Sequence, residues 1–472
     1  MRAFYLAAPL GLLLASCSSA PAATVPPAAH DLPAPVIISN PIALPDACRS
    51  AKPPFHPGEP SLAAAPANPR LLVATWQQLG SPVGTGNVVA VSHDGGGSWT
   101  RTILPGLTSC NGGSYASATD PWVSIGPDGF VYVSSLMTRP TAGGVTVHDL
   151  VVSVSRDAGA AWQQPTVVET QPAPPTLPDK EAILADPRRP GAAYLVWVEY
   201  GTTAGTDPSI DQVFFSRTVD GGVSWSPPAP IYSGGDEAQQ NQLLMTADGT
   251  LADVFVEGAS LPGAQHPPSL PVAIRVIRSK DQGRTWSAPT EAARFSYTNA
   301  IDPGSGGQLR FFGQDIVAVA AGNAIYVGWF VNYPNQESSI WVARSEDRGL
   351  HWSPARAVVR EKPEAFLPTL AVAGDATVGL LWFDFRKFTT GSARLDTDAW
   401  FSSSTDRGSH WSTRHLSGPF DLRSAPAARY GPFIGDYMGL VGLPDGFAAA
   451  FIQAKPLARN GPTDVFFEKI PG

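Results

Sequence analysis

One eight-residue pattern recurs six times along this chain and restricts it to a repeat architecture. The pattern is Ser/Thr-x-Asp-x-Gly-x-x-Trp. It reads Ser92-His93-Asp94-Gly95-Gly96-Gly97-Ser98-Trp99 in the first copy and Ser279-Lys280-Asp281-Gln282-Gly283-Arg284-Thr285-Trp286 in the fourth. The remaining copies carry Asp157, Gly159 and Trp162; Asp220, Gly222 and Trp225; Asp347, Gly349 and Trp352; and Asp406, Gly408 and Trp411. Successive aspartates lie 63, 63, 61, 66 and 59 residues apart. A regular period of that length marks one supersecondary unit used repeatedly. The chemistry of the pattern is local. An Asp carboxylate accepts hydrogen bonds from the N–H groups of a tight loop, Gly permits a positive φ, and Trp buries a large aromatic face. The six aspartates therefore read as turn formers rather than catalytic groups.

The flanks show what the unit is. An apolar or alternating strand precedes each copy, as at residues 87–92 and 272–279, and a short strand is expected to begin at the Trp. Two more strands lie upstream, such as 60–65 with 70–76, or 316–320 with 324–330. Four antiparallel strands per repeat make a propeller blade, and no helical period of comparable strength competes. The abundance of Gly, Pro and Trp, at 46, 47 and 13, suits short strands joined by tight turns. Six complete units run from about residue 59 to 418. A three-strand unit without the pattern follows at 433–441, 446–453 and 464–469, and residues 35–39 offer its missing outer strand. The expected fold is all-β: a single propeller of seven four-stranded antiparallel blades, the N-terminal strand closing the last. Six blades with an extra packed segment is the alternative.

Residues 1–16 read as a signal peptide, with Arg2 ahead of an apolar stretch too short to span a membrane. The ending Leu14-Ala15-Ser16-Cys17 resembles a bacterial lipobox, which implies lipidation of Cys17. An ordinary signal with a chance Cys is the other reading. Ser18 and Ser19 follow with no Asp, which suggests outer-membrane sorting. Residues 17–34 form an Ala/Pro-rich tether and 35–472 the propeller. Export into an oxidising compartment makes a Cys48–Cys110 disulfide the expectation, with two unpaired thiols as the alternative. The net charge is −8 with no basic run, so nucleic acid is not an expected partner. No phosphate-binding Gly loop, His-Glu-x-x-His helix or Cys cluster occurs, so no cofactor or metal is expected. The chain is expected to be a monomer that meets the membrane only through its lipid.

In a propeller the first strand of each blade lines the central channel. The patterned 3–4 turns share one face, and the longer, more polar 2–3 loops and 4–1 connections share the other. Loops on a rigid scaffold are the usual place for function, so the face opposite the pattern is the candidate. Polar residues gather where each first strand begins: Glu59, Asp120, Asp179 with Lys180 and Glu181, Asn241 with Gln242, and Asp436 with Tyr437. The 2–3 loops add Glu199, Glu257, Asp384 and Arg386, while Arg310 and Arg429 lie in 4–1 connections. Individually, such residues often only cap strands. Together they suggest a polar concave site.

The repeated pattern resembles the Asp boxes of the sialidase superfamily, also called BNR proteins, over residues 59–472. The resemblance implies an exo-acting retaining glycoside hydrolase acting on a glycan at the cell envelope. Its members hold a sugar carboxylate with three arginines, use a Tyr activated by a Glu as nucleophile, and use an Asp as acid/base; an Arg fork matches a carboxylate bidentately. On that resemblance, Tyr437 or Tyr430 would be the nucleophile with Glu199 or Glu257 beside it, and Asp120 or Asp179 the acid. Arg310, Arg386 and Arg429 would form the clamp, with Glu59, Asp384 and Asp436 lining it. The chain departs from the family where sialidases carry Arg-Ile-Pro, reading Gly58-Glu59-Pro60-Ser61 instead. Asp384-Phe385-Arg386 reads equally as a structural ion pair. A non-catalytic glycan- or protein-binding propeller and a polysaccharide lyase are the alternative functions.

Overall fold

Alternation of apolar side chains along short segments, each stopped by a Gly-containing turn, produces the strands of the computed structural model. It describes residues 34–40, 56–79, 86–140, 146–170, 176–201, 212–234, 237–258, 270–297, 300–307, 309, 316–331, 338–361, 365–428, 431–458 and 461–472. The strands form seven four-stranded antiparallel sheets. Six sheets take four consecutive strands each, and the ring they build makes this a seven-bladed β-propeller. The innermost strands are His56–Ala65, Ser117–Ile125, Thr176–Ala185, Glu237–Met245, Ile316–Ala321, Ala365–Val372 and Gly439–Leu443. The last of them packs against the first.

The seventh sheet joins the two ends of the propeller. Gly439–Leu443, Gly446–Ala458 and Gly461–Pro471 supply three strands, and Val36–Ile37 supplies the outermost. Val36 stands opposite Phe467 and Ile37 opposite Phe466. The closure expected from the sequence is therefore the closure found. Beyond the strand, Ile38 N–H donates to the Val465 carbonyl at 2.9 Å.

Each Asp box is a small hydrogen-bonded cage. In the first, Ser92 Oγ donates to Asp94 Oδ1 at 2.8 Å and accepts from Gly96 N–H at 2.8 Å. Asp94 also accepts from Ser98 N–H at 2.9 Å and from Ser98 Oγ at 2.7 Å. The fifth and sixth boxes keep the cage with His351 and His410 in place of the second Ser. The fourth strands begin later than the sequence suggests. They start one residue after Trp99 and Trp411, but four after Trp162, Trp225, Trp286 and Trp352. Each late blade has Pro between the Trp and the strand (Pro165, Pro227 with Pro228, Pro289 and Pro354), which lacks the N–H a ladder needs, and none intervenes after Trp99 or Trp411. The indoles of Trp99, Trp352 and Trp411 turn back to donate to the Gly96, Gly349 and Gly408 carbonyls. In the four blades with late strands, the register with strand 3 slips by one residue, for example between Leu150 and Val151.

The core lies between blades rather than at a single centre. One apolar cluster spans blades 1 and 2 around Val73, Val89, Val133 and Val151, and another spans blades 4 and 5 around Val254, Ile274, Ile316 and Val327. Trp76, Trp197 and Trp382, from the second strands of blades 1, 3 and 6, are fully buried. This packing makes the ring rigid and fixes the positions of the inner strands.

Candidate functional site

Five inner strands carry the same irregularity at the same height. In each, two consecutive residues stand opposite one residue of the second strand: Glu59-Pro60, Asp120-Pro121, Lys180-Glu181, Gln240-Asn241 and Leu367-Pro368. The first member of each pair has a positive φ, between 49° and 63°, although none is Gly. Such bulges re-aim side chains, and a non-Gly residue in this region costs about 1–3 kcal/mol. A strain repeated around the ring is therefore balanced by what the re-aimed side chains do.

What the bulges assemble is a polar mouth at the channel end opposite the boxes. Lys180 Nζ donates to Asp436 Oδ2 at 3.1 Å, Asp179 Oδ1 accepts from the Lys180 N–H at 2.7 Å, and Glu59 is hydrogen-bonded to Asp120. Burial, then the charges of Asp120 and Asp436, hold the Glu59 carboxyl well above the usual carboxylate range. Glu181 is raised the same way by burial and Asp120, and burial raises Asp179 against the pull of Lys180. Burial also works against the Lys180 charge, but Asp436, Asp179 and Asp120 outweigh it and keep the ammonium charged. Four side chains here retain buried oxygen or nitrogen atoms without a hydrogen-bond partner: Glu59, Glu181, Asn241 and Asp436.

Tyr437 and Trp122 form the floor. Their rings lie 5.1 Å apart and both line two cavities. One, of about 20 Å³, faces the mouth and is lined also by Asp120, Lys180, Glu181, Gln240 and Asn241. The other, of about 210 Å³, continues down the channel past polar Ser61, Gln242 and Thr369 as well as apolar Leu62, Val317, Leu370 and Leu440. Tyr437 OH donates to the Pro121 carbonyl at 3.1 Å. Burial and the surrounding carboxyl groups keep its phenol protonated.

The structure thus brings together Glu59, Asp120, Asp179, Asp436 and Tyr437. Other candidates stand elsewhere. Glu199 lies one strand outward, opposite Pro178, and takes a hydrogen bond from Trp197 Nε1 at 3.4 Å. Asp384 and Arg386 form an ion pair in blade 6 at 2.6 Å, with Trp400 Nε1 donating to Asp384 and the guanidinium 3.7 Å from the Trp400 ring centre. Glu257 accepts from Tyr232 OH and, at 2.6 Å, from Arg275 Nε. Tyr232 belongs to an outer strand, and no sequence reasoning singled out Tyr232 or Arg275. A second interaction the sequence did not suggest is the Arg423–Asp302 pair at 2.9 Å, which ties the 300–307 loop to the turn after blade 6. Cys110 is disulfide-bonded. Cys17, Cys48, Arg310, Arg429 and Tyr430 lie outside the described residues. Among the described residues, no three His, Cys, Asp or Glu side chains are grouped to hold a metal ion.

A seven-bladed ring with Asp boxes on one face and a polar mouth on the other defines a propeller of BNR repeats. The chain belongs to the family of BNR repeat-like domains, whose family model matches residues 191–428. No curated protein matches it. Among solved structures, a Hadza microbial sialidase is similar at 15% identity and a TM-score of 0.47, over 86% of this chain and 75% of that one. A Dyadobacter fermentans protein of unknown function is similar at 13% identity and a TM-score of 0.44, over 88% and 95%. The intramolecular trans-sialidase of Ruminococcus gnavus is similar at 14% identity and a TM-score of 0.41, over 69% and 90%.

Proposed function

We propose that this propeller is a glycan-directed glycoside hydrolase, exported and held at the cell envelope through a lipid on Cys17. The observation that carries the reading is the convergence of buried carboxyl groups with different charge requirements at one channel end. Glycoside hydrolysis needs a carboxylic acid that still holds its proton for the leaving oxygen, and a second carboxyl group to act as base or nucleophile. Glu59, whose proton is retained by burial and its neighbours, suits the first role. Asp436, paired with Lys180, suits the second. A fluorogenic sialoside and a panel of neutral, acidic and amino glycosides would be assayed with purified protein. Glu59→Gln is expected to lower kcat/KM about 100-fold on the substrate that turns over, and absence of turnover across the panel sinks the reading. Labelled palmitate entering the wild type but not Cys17→Ala tests the anchor.

A second reading, a non-catalytic glycan-binding propeller, draws on the size of the mouth cavity. At about 20 Å³ it has room for one water-sized group and not for a sugar ring. Saturable glycan binding without turnover, unchanged when Tyr437→Phe and Asp120→Asn are combined, would favour it.

A further inference from the structure

The mouth cavity is specific about charge. Of the seven described residues that line it, Lys180 is the only cation, and its ammonium is engaged by Asp436. Asp120 and Glu181 line the cavity with it, and Asn241 adds a neutral amide. Glu181 is 4% exposed and Asn241 2% exposed. Both oxygens of Glu181 and both polar atoms of Asn241 lack a partner. A buried polar atom left unpaired is costly, and three of these atoms, the two Glu181 oxygens and Asn241 Oδ1, are acceptors that mark a place for something that donates several hydrogen bonds, while Asn241 Nδ2 is left to donate to an oxygen beside it. The cavity admits one group about the size of a water molecule. A carboxylate entering here would meet acceptors and negative charge. A metal ion would need a coordinating set that the described side chains do not form. A primary ammonium fits: it carries positive charge, offers three donors and needs no coordination geometry. The half-buried Trp122 lines the same cavity, and an aromatic side chain suits the apolar face of a sugar ring whose amine enters there.

We propose that the mouth binds an amino-sugar glycan, with the protonated primary amine seated between Glu181, Asn241 and Asp120 and the ring against Trp122. This rests on the glycan-directed reading and narrows its substrate class to cationic sugars. Arrival of an ammonium favours the ionised form of Glu181, so binding releases a proton to the buffer.

Titration calorimetry on the full-length chain compares three probes: fully de-N-acetylated chitotriose, N-acetylated chitotriose and a methyl sialoside. The free-amine trimer is expected to bind at least about ten-fold more tightly than either other probe, since a charge-assisted hydrogen-bond set is at stake. Its binding heat should change with the buffer's ionisation enthalpy. Glu181→Gln, close in shape to the protonated acid, should remove most of that preference. Asn241→Asp, which adds a carboxylate to the same cavity, should strengthen it. Equal binding of the acetylated and free-amine trimers, tighter binding of the sialoside, or no binding of any probe overturns the inference. Free-amine binding without turnover upholds it and counts against the hydrolase reading. Turnover of a sialoside or acetylated glycan without amine preference does the reverse.

Discussion

Glu468 and Asp281 show opposite treatments of one functional group. Asp281 sits in an Asp box, where Thr285 Oγ1 and N–H and Ser279 Oγ donate to it; these bonds hold its carboxyl at about 2. Glu468 is 2% exposed between blades 6 and 7, and neither of its oxygens has a partner. Burial raises it to about 8, and nearby Arg414 offsets only part of the shift. The sign of the consequence follows by linkage. A carboxyl whose pKa is raised by folding contributes its full stability below the unfolded value, near 4.5, and that contribution is lost as pH rises through about 8. Glu468→Gln keeps the shape and removes the titration. Denaturant unfolding should find it near neutral at pH 5 and stabilising at pH 9 by on the order of 2 kcal/mol. Equal effects at both pH values would show that the carboxyl stays charged in the fold.

At the scale of the element, the Asp box fastens one blade to the previous one. Its glycine has a positive φ, but space is the stronger constraint. A Cβ on Gly159, with φ at +88°, would lie 2.6 Å from Val91 Cγ2 in the preceding blade, and one on Gly283 would lie 2.2 Å from the Phe215 ring. Gly95 has a similar φ of +78° and nothing within 4 Å of an added Cβ. Comparing Gly159→Ala with Gly95→Ala therefore separates strain from collision. Gly95→Ala should cost about 1 kcal/mol from φ alone, and Gly159→Ala about 2–3 kcal/mol because the blade contact must open as well. Equal losses in urea titrations would mean that the box does not fasten blades. The box was legible in the sequence because all its bonds fall within eight residues. The inner-strand bulges were not, because a bulge is defined by the strand opposite it. A local trace of them exists: three of the five pairs, Glu59-Pro60, Asp120-Pro121 and Leu367-Pro368, place Pro inside a central strand, a position Pro takes mainly at bulges. The polar residues of the mouth were readable as a ring because each falls at the entry to an inner strand, whose place in the repeat the sequence shows. That Glu181 and Asn241 lack partners depends on side chains from several blades and could not be read from any one segment.

For the whole molecule, stability depends on how the ring is closed, and the closing strand is unusual in what holds it. Val36 and Ile37 are 48% and 42% exposed, so the strand itself buries little apolar surface and Ile38 just beyond it is the one fully buried apolar side chain of the described closing segment. The connection instead runs through Asp464 in the third strand of blade 7, which is 1% exposed. Asp464 accepts hydrogen bonds from Ser39 Oγ at 2.8 Å and Asn40 Nδ2 at 2.6 Å, and is paired with Lys455. Ser39 Oγ in turn accepts from Val465 N–H at 3.1 Å, so one carboxylate organises both side-chain and backbone contacts of the closure. If hydrogen bonding to a buried charge dominates, Ile37→Ala should change stability by less than about 0.5 kcal/mol. Asp464→Ala should cost about 3 kcal/mol, because it leaves Lys455 and Ser39 without their acceptor. Loosening this strand also bares the edge at Phe466 and Phe467, and an unpaired edge invites strand addition from another chain. Asp464→Ala should therefore self-associate with rising concentration by light scattering while Ile37→Ala stays unchanged. If Ile37→Ala proves the more damaging of the two, closure rests on apolar packing and not on the Asp464 carboxylate.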